Sequence, residues 1–317
     1  MKPQDYQRLV EIARLYYEQD LTQAEIAKTV GVSRPVVSRM LSEARQRGIV
    51  RIEVRSPLDE DHELLGELVR TFGIRGGLIV PTGTADEAID RSLMVSQAAL
   101  YVQRLLVPEV RRLGIGWGET VRDVIAQVEQ QDVQDEFTRS VCPVIGSAPS
   151  AMQWFQTNEL TRILAEKLQA DPYYLHAPAF PVSQGDRAMF TGTLEYRQVS
   201  DLWRQLDLVL LGIGTYPTVP DYATAARFGD RLKQQRAVGV LATYYFDARG
   251  TIIDSPHDYA VRIPLQDLRA ARQVVVVTSG TRKAQAVHGG LMTGLISHLV
   301  TDEGTARELL RHHRALS

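Results

Sequence analysis

Residues 22–45 decide how the start of this chain folds, and they read TQAEIAKTVGVSRPVVSRMLSEAR. Thr22 is a suitable N-cap for a helix, and Gly31 is suited to end that helix. Pro35 stands near the first position of a second helix, where proline is favoured. The residues predicted to pack the first helix are Ala24, Ile26, Ala27 and Val30. The stretch therefore predicts two helices joined by a tight turn.

The second helix has an apolar face and a polar, basic face. The residues predicted to point inward are Val36, Val37, Met40 and Leu41. The opposite face combines short hydrogen-bonding side chains with arginines, which suit base edges and phosphates. With the start of the first helix, the predicted DNA-binding residues are Thr22, Gln23, Ser33, Arg34, Pro35, Ser38, Arg39, Ser42 and Arg45. The alternative is an ordinary three-helix bundle with solvated arginines.

The charge of the chain is unevenly distributed. Taken whole, the formal net charge of -2 argues against nucleic-acid binding. Residues 1–56, however, carry ten Lys/Arg and seven Asp/Glu, a net charge of +3, and the remainder carries -5. Within 28–51 there are six basic residues and one acid. A basic segment joined to an acidic body favours a DNA-reading module attached to a second domain. One such module reads half a site, which predicts a dimer or larger oligomer.

The composition limits the other classes of protein. The 317 residues suggest about two domains, and 44% hydrophobic residues are enough for a real core. One cysteine, Cys142, excludes a disulfide framework or a Cys-rich zinc site within the chain. Neither an apolar signal core nor a membrane-length apolar run is present, which predicts a soluble cytoplasmic protein.

The segment after the second helix predicts a domain boundary. Apolar and charged residues alternate over 49–54, which predicts a short strand or wing, and 56–61 is polar with a proline, typical of a linker. We therefore expect a helix-turn-helix domain at 1–56 and a larger domain at 57–317. In the larger domain, apolar strand-like runs at 77–80, 113–115, 141–145, 208–213, 238–246 and 274–278 alternate with helical patterns. This alternation predicts an α/β domain with a mostly parallel sheet covered on both faces.

Three strand ends of the larger domain continue into glycine-containing turns, at 113–120, 210–215 and 277–283. Glycines at the carboxyl end of a parallel strand allow backbone N–H groups to approach an anion, and the next helix adds its positive end. Lys283 stands where it could pair with a phosphate. Glycines at such corners are often packing devices, but three corners and a lysine together favour a small anionic ligand. Val121 replaces the third glycine of a dinucleotide fingerprint, so no cofactor is expected.

Asp247 directly follows the predicted strand at 238–246 and stands at the start of a turn. A carboxylate there could accept hydrogen bonds from sugar hydroxyls or could cap the turn. Spacing alone does not separate these two roles.

Several motifs together resemble the SorC family of bacterial sugar-responsive transcriptional regulators, over nearly the full length of the chain. In the first 56 residues the motifs are 15–17, 21–27, 33–41, 44–45 and 48–50. In the larger domain they are 114–120, 211–214, 237–239, 245–247, 279–287 and 299–303. The resemblance implies a winged helix-turn-helix, then a Rossmann-like domain that is related to sugar-phosphate isomerases but binds its sugar without converting it. It also implies a repressor or activator that forms tetramers through this domain.

The resemblance also suggests an effector site. Gly116, Gly118, Thr120 and Lys283 would hold a phosphate, and Asp247 a hydroxyl. The full predicted set is Gly116, Trp117, Gly118, Glu119, Thr120, Gly212, Gly214, Thr215, Asp247, Ser279, Gly280 and Lys283. Gln184, Arg187 and His176 are further candidates for the pocket lining.

Two residues depart from the family pattern. Members often have threonine at the position of Glu119 and aspartate at that of Val240. A carboxylate beside a phosphate would repel it, so either the ligand is an unphosphorylated sugar or Glu119 points away from the site.

Two other functions remain open at this point. The larger domain could be a sugar-phosphate isomerase or deaminase with His176, His257 or His288 as a base, since such an enzyme needs a positioned general base. It could also be a partner-binding module whose glycine loops are purely architectural.

Overall fold

The computed structural model describes residues 3–50, 62–82, 86–130, 139–147, 156–217 and 222–316. The chain separates into two compact units, Met1–Pro57 and Leu58–Ser317. The predicted linker at 56–61 and most of the predicted wing at 49–54 lie outside the described residues. The two described residues of that wing, Ile49 and Val50, form a bend.

In residues 3–50 of the first unit, three helices surround a small core. They are α1 (Pro3–Tyr17), α2 (Gln23–Val30) and α3 (Arg34–Gln46). The core residues are Ile12, Ile26, Ala27, Val37 and Leu41. Gly31 ends α2 with φ 70° and donates its N–H to the carbonyl of Ala27. Glycine adopts this left-handed conformation without a Cβ penalty, so the chain turns sharply into α3, and the predicted helix-turn-helix is confirmed.

Residues Thr22 and Glu25 begin α2 with a capping box. The Glu25 N–H donates to the Thr22 hydroxyl at 3.3 Å, and the Glu25 carboxylate accepts from the Thr22 backbone N–H at 2.8 Å. Such a box satisfies helix N–H groups that have no partner within the helix. The prediction that Ala24 packs the core is wrong: Ala24 lies on the solvent side of the first turn and is exposed.

The described residues of the second unit form ten strands. In chain order they are β1 (Gly76–Val80), β2 (Arg112–Ile115), β3 (Ser140–Pro143), β4 (Asp171–Pro172), β5 (Leu208–Leu211), β6 (Gly214–Thr215), β7 (Ala237–Leu241), β8 (Tyr244–Asp247), β9 (Gln273–Val277) and β10 (His298–Asp302). Seven of them form one sheet in the order β1-β10-β9-β5-β2-β3-β4, and all neighbouring strands in it are parallel. This confirms the predicted mostly parallel α/β domain.

Helices cover both faces of this sheet. In chain order they are α4 (His62–Phe72), α5 (Glu87–Leu105), α6 (Glu119–Gln127), α7 (Thr157–Leu168), α8 (Gln184–Thr191), α9 (Leu194–Trp203), α10 (Tyr222–Phe228), α11 (Arg231–Gln234), α12 (Leu265–Ala270), α13 (Ala284–Met292) and α14 (Glu303–Leu316). One core layer contains the apolar faces of α5, α6 and α7, and the other contains those of α4, α9, α12, α13 and α14. Because both faces are buried, strands such as β5 are apolar at every position.

The strand order contains a switch point between β2 and β5. From β2 the chain proceeds through β3 to β4 on one side, and from β5 through β9 to β10 on the other. Helices that start on opposite sides of such a point leave a crevice outside the carboxyl ends of the strands, where ligands of open α/β sheets bind.

A small antiparallel sheet follows β5. It has the order β6-β7-β8, so the single strand predicted at 238–246 is in fact a hairpin. Its two-residue loop, Ala242 and Thr243, has φ 46° and 63° without a glycine. Among the described residues, no helix is long and apolar enough to cross a membrane.

Candidate functional site

The exposed face of α3 carries the predicted basic residues. Ser33, Arg34, Pro35, Ser38, Arg39 and Arg45 are exposed, and Ser42 is half-buried. At 100° per residue, the helical positions among them fall within roughly 140° of the helix circumference. The guanidinium groups of Arg34, Arg39 and Arg45 form no ion pair with any described residue, whereas Arg47 is paired with Glu43 at 2.8 Å. The free arginines therefore share one surface.

A groove of about 710 Å³ lies beside the start of α2 and the start of α3. Its lining includes Thr22, Gln23 and Arg34, together with Tyr16 and Tyr17 of α1. The Thr22 hydroxyl donates to the Glu25 carboxylate at 2.7 Å, so it is already engaged within the capping box. Gln23 is half-buried, with its backbone at the positive end of α2.

The three predicted glycine loops of the second unit lie side by side. Gly116 follows β2, Gly212 follows β5 and Ser279 follows β9. Strand β5 pairs with both β2 and β9, so the loops leave three neighbouring strands at the carboxyl edge. The first two loops flank the switch point. The structure thus brings together segments that are about 160 residues apart in the chain.

The glycines in these loops have different roles. Gly118, at the N-cap of α6, has φ 128°, and a Cβ there would meet open space. Gly116 is buried, and a Cβ would lie 2.7 Å from Leu211, so this glycine is needed for packing. A Cβ on Gly214 would lie 2.8 Å from a methyl of Val240, the other residue that departs from the family pattern. Of these three, Gly118 is the glycine that faces accessible space.

Asp302 organises the third loop. One of its carboxylate oxygens accepts from the Gly280 N–H at 2.8 Å and from the Thr305 hydroxyl at 2.6 Å. The other accepts from the Thr305 N–H at 2.7 Å. The Gly280 amide is therefore committed to Asp302, which does not support the predicted contact between this amide and a ligand anion.

Lys283 lies near the charged side chains of Arg91, Glu119 and Asp302. It ends a single 3₁₀ turn, Thr281–Lys283, directly before α13 and is half-buried. Burial lowers the pKa of Lys283, the charge of Arg91 lowers it further, and the carboxylates of Glu119 and Asp302 raise it. Within the described part of the chain, the ammonium has no hydrogen bond or ion pair. It is thus a cation without a partner beside the glycine loops.

Arg91 of α5 is a site residue that the sequence reasoning missed. Its guanidinium lies 2.7 Å from Asp123 and 3.7 Å from Glu119, both on α6. Arg122 also pairs with Asp123, at 2.6 Å. Desolvation opposes the ionised form of Asp123, but hydrogen bonds and the charges of the two arginines leave its pKa lowered. No glycine turn precedes Arg91, so the motif pattern contained no signal for it.

Aromatic side chains continue the site past β2. Trp117 packs edge-to-face on Phe180, with ring centroids 5.8 Å apart. Phe180 and His176 line a cavity of about 480 Å³, together with Ser147, Ala177, Pro178, Ala179 and Ala223. That volume falls within the range of small-molecule sites. The predicted lining residue His176 borders this cavity, whereas Gln184 and Arg187 do not.

A buried ion cluster adjoins the same cavity. Asp258 lies 2.8 Å from Arg227 and 2.7 Å from Arg262, and all three side chains are at most 11% exposed. Arg262 also donates to the carbonyl and the hydroxyl of Thr243, at 2.6 and 3.0 Å. Burial lowers the pKa of Arg227, while the Asp258 charge raises it. The cluster holds the Ala242–Thr243 loop in its positive-φ conformation, and no motif had pointed to it.

Asp247 lies apart from the other predicted effector residues. Its carboxylate accepts from the backbone N–H groups of Arg249 and Thr251, each at 2.9 Å. A Cβ on Gly250 of the same turn would touch Met292 at the C-terminal end of α13, whereas Lys283 precedes the N-terminus of that helix. The turn-capping role is the observed one, and the geometry does not support a shared ligand with Lys283.

The remaining predicted effector residues border the three loops. Trp117, Thr120, Gly212, Thr215 and Ser279 are half-buried, and Glu119 is exposed. The three histidines considered as bases are dispersed. His257 is exposed, and His288 is buried with its Nε2 3.1 Å from Nδ1 of His313. In the described ranges, no group of three or more His, Cys, Asp or Glu side chains is placed to hold a metal ion.

Comparison with known families covers both units. Residues 56–311 match the family of a sugar-binding domain, Sugar-bind, and residues 7–59 match the Crp-like helix-turn-helix domain. The sorbitol operon regulator of Klebsiella pneumoniae is 30% identical over 97% of this chain and 98% of its own length. The deoxyribonucleoside regulator of Bacillus subtilis is 29% identical over 98% of this chain and 99% of its own.

The structural comparison agrees with these matches. The crystal structure of the full-length sorbitol operon regulator SorC from Klebsiella pneumoniae superposes with a TM-score of 0.79 at 29% identity, covering 96% of this chain and 99% of that one. The helix-turn-helix match precedes the sugar-binding match along this chain, and the Klebsiella pneumoniae relative is 30% identical over nearly the whole of both chains. The chain therefore belongs to the SorC family of sugar-binding transcriptional regulators.

Proposed function

We propose that this protein is a DNA-binding transcriptional regulator whose affinity for DNA is changed by a small sugar or sugar phosphate, and that it controls genes of carbohydrate catabolism. One observation carries the proposal. A capped helix-turn-helix, with three arginines that form no ion pair among the described residues, is joined in one chain to a parallel sheet with a lysine beside its glycine loops. The names of the relatives, regulators of a sorbitol operon and of deoxyribonucleosides, support the same class of function.

In this proposal α3 lies in the major groove of the operator. Short side chains at its start approach base edges, and the arginines fork onto guanine or bind phosphate. The start of α2 faces a backbone phosphate with the positive end of the helix. The Thr22 hydroxyl is not the donor to this phosphate, because it already donates to Glu25. The proposed interface is Thr22, Gln23, Ser33, Arg34, Pro35, Ser38, Arg39, Ser42 and Arg45.

The effector is proposed to bind at the carboxyl edge of the sheet, at the switch point. Gly118 and the N-terminus of α6 supply amides next to open space, and Lys283 supplies an unpaired cation. Arg91 joins the set because it lies between Glu119 and Asp123. Trp117 extends the site toward the cavity beside Phe180. Gly116, Gly214 and Gly280 then act as packing or loop-forming residues around the ligand.

The remaining parts of the proposal follow from how such a regulator works. A single helix-turn-helix reads half an operator, so the protein acts as a homodimer or homotetramer. The effector prefers one arrangement of the oligomer and so shifts its population. We propose that the protein works in the cytoplasm, where the operator is, and that it releases the sugar unchanged.

DNA binding is tested with the full chain and its own upstream DNA. The double variant Arg34→Ala with Arg39→Ala is expected to bind at least about tenfold more weakly, because each such contact contributes about 1–3 kcal/mol. The control is Arg231→Ala with Lys233→Ala, which removes two exposed charges from the second unit and should bind like the parent. Equal binding by the two double variants would contradict the assignment of α3.

Effector binding is tested by thermal unfolding against a panel of sugars and sugar phosphates. A ligand that binds the folded state alone raises the unfolding temperature in a concentration-dependent way. The same compound should change the affinity of the protein for its operator. Steady conversion of the compound into a product would instead favour an enzyme.

A further inference from the structure

The carboxylate of Glu119 points toward the cations of the proposed effector site. Glu119 is the first residue of α6, directly after the open Gly118. Its oxygen lies 3.7 Å from the guanidinium of Arg91, and its charge acts on the ammonium of Lys283. The second possibility raised by the sequence, that Glu119 turns away from the site, is therefore not what the structure shows.

The charges around the loop are balanced by the chain itself. Arg91, Arg122 and Lys283 are faced by three carboxylates, those of Glu119, Asp123 and Asp302. Both arginines are already paired with Asp123, at 2.7 and 2.6 Å. Asp302 also holds the Gly280 amide, whereas Glu119 lies 3.7 Å from Arg91, and the charges of both carboxylates act on the ammonium of Lys283. The site has cations but no excess of positive charge.

This balance disfavours a phosphate monoester at the start of α6. A phosphate ester adds a charge of about -1.5 to -2 at neutral pH, and that charge would lie beside the Glu119 carboxylate. Hydroxyl groups fit the same atoms better. A carboxylate accepts hydrogen bonds and an ammonium donates them, whereas a hydroxyl does both. Glu119 can therefore accept a hydrogen bond from one hydroxyl of a sugar, and Lys283 can donate a hydrogen bond to another.

We propose that Glu119 is a specificity-determining residue that selects an uncharged polyhydroxyl group, and rejects a phosphate monoester, at the position bounded by Gly118, Arg91 and Lys283. The inference rests on the proposed effector site and names the class of its ligand, an unphosphorylated sugar or sugar alcohol.

The first test uses inorganic phosphate as the probe and the full chain in low-salt buffer. Phosphate affinity is measured by calorimetry for the parent, Glu119→Gln and the control Glu166→Gln. Glu166 is a comparably exposed helix carboxylate, also paired with an arginine, on the distant half of α7. We expect Glu119→Gln to bind phosphate about tenfold more tightly than the parent, Glu166→Gln to match the parent, and Lys283→Gln in the Glu119→Gln background to lose the gain. Equal phosphate affinity in parent and Glu119→Gln would overturn the proposal.

The second test compares hexoses and hexitols with their own phosphate monoesters. The parent should prefer the uncharged member of a pair, and Glu119→Gln should reduce that preference by about tenfold. If the unsubstituted protein binds a phosphate ester more tightly than the corresponding unphosphorylated sugar, the selectivity assigned to Glu119 is overturned. The proposed effector site would still stand. If no compound of either kind binds but Glu119→Gln gains phosphate affinity, rejection of phosphate by Glu119 is upheld and the proposed sugar effector fails.

Discussion

The guanidinium of Arg227 lies 4.2 Å from the centre of the Phe180 ring. Phe180 in turn packs edge-to-face on Trp117 of the first glycine loop, and Arg227 pairs with Asp258. The buried ion cluster and the proposed effector loop are therefore linked by two ring contacts. Through Arg262, the same cluster also reaches the Ala242–Thr243 turn of the hairpin that carries Val240.

Asp258→Ala is expected to destabilise the second unit strongly. The change leaves two buried arginines without their carboxylate, and breaking a buried pair in this way costs about 3–5 kcal/mol. Asp201→Ala serves as the control because its pair with Arg204 is more than 60% exposed, and such pairs contribute about 1 kcal/mol or less. Urea unfolding gives both free energies. If Asp258→Ala lowers the free energy of unfolding by less than Asp201→Ala does, the cluster is not a stabilising element.

Thr22→Ala is expected to lower the free energy that opens α2 by about 1 kcal/mol, because the substitution removes the N-cap oxygen. Hydrogen exchange of the α2 amides in the full chain measures the change where it occurs. Thr29→Ala is the matched control on the same helix, since the Thr29 hydroxyl donates to the Glu25 carbonyl and caps nothing. Similar exchange rates in the two variants would mean that the capping box does not hold the start of α2.

Lys283→Ala is expected to retain operator binding and to lose the response to the effector. The substitution removes the unpaired cation beside the glycine loops and leaves the first unit unchanged. Arg282→Ala removes a neighbouring exposed charge and should keep the response. The readout is operator affinity with and without the compound found in the thermal panel. A response that survives in Lys283→Ala would place the effector elsewhere.

Stability is expected to fall as the pH drops below about 6.5, the ordinary pKa of histidine. Burial lowers the pKa of His288, and the neighbouring His312 and His313 lower it further. The unfolded chain therefore binds more protons than the folded one in this range, so the free energy of unfolding decreases toward acid. His298, with a pKa also lowered by burial, acts in the same direction.

The variant His288→Gln tests this pH dependence. Its free energy of unfolding should vary less than that of the parent between pH 7.5 and 5.5, whereas the exposed control His257→Gln should follow the parent. Parallel curves for parent and His288→Gln would assign the acid sensitivity to other groups.

Local sequence signals predicted much of this fold. The Thr22 cap, the Gly31 turn and the spacing of Ile26 and Val37 were sufficient for the helix-turn-helix, because all of these signals are short-range. Strands such as β5 and β9 were recognisable because burial on both faces makes them continuously apolar.

Local sequence signals fail where tertiary contacts override local preference. The sequence predicts one strand in place of the β7–β8 hairpin because Ala242 and Thr243 give no turn signal. Their positive φ angles are held by Arg262, 19 residues further on. Arg91 was missed because its role depends on α5 meeting α6, and no motif encodes that contact. The three glycine loops were identified individually, but only the strand order shows that they are neighbours.

Among the described strands, β1 pairs with β10 alone, and Gly76 pairs with His298, which lies 222 residues later in the chain. During synthesis the three helices of the first unit are complete when most of the sheet has yet to be made. A ribosome-bound chain that has not passed Gln273 has neither β9 nor β10, so β1 lacks its partner, and Lys283 is also absent. Contacts of such long range slow folding. The helices of the helix-turn-helix are thus synthesised early, and of the three glycine loops the one with Lys283 is the last that the growing chain completes.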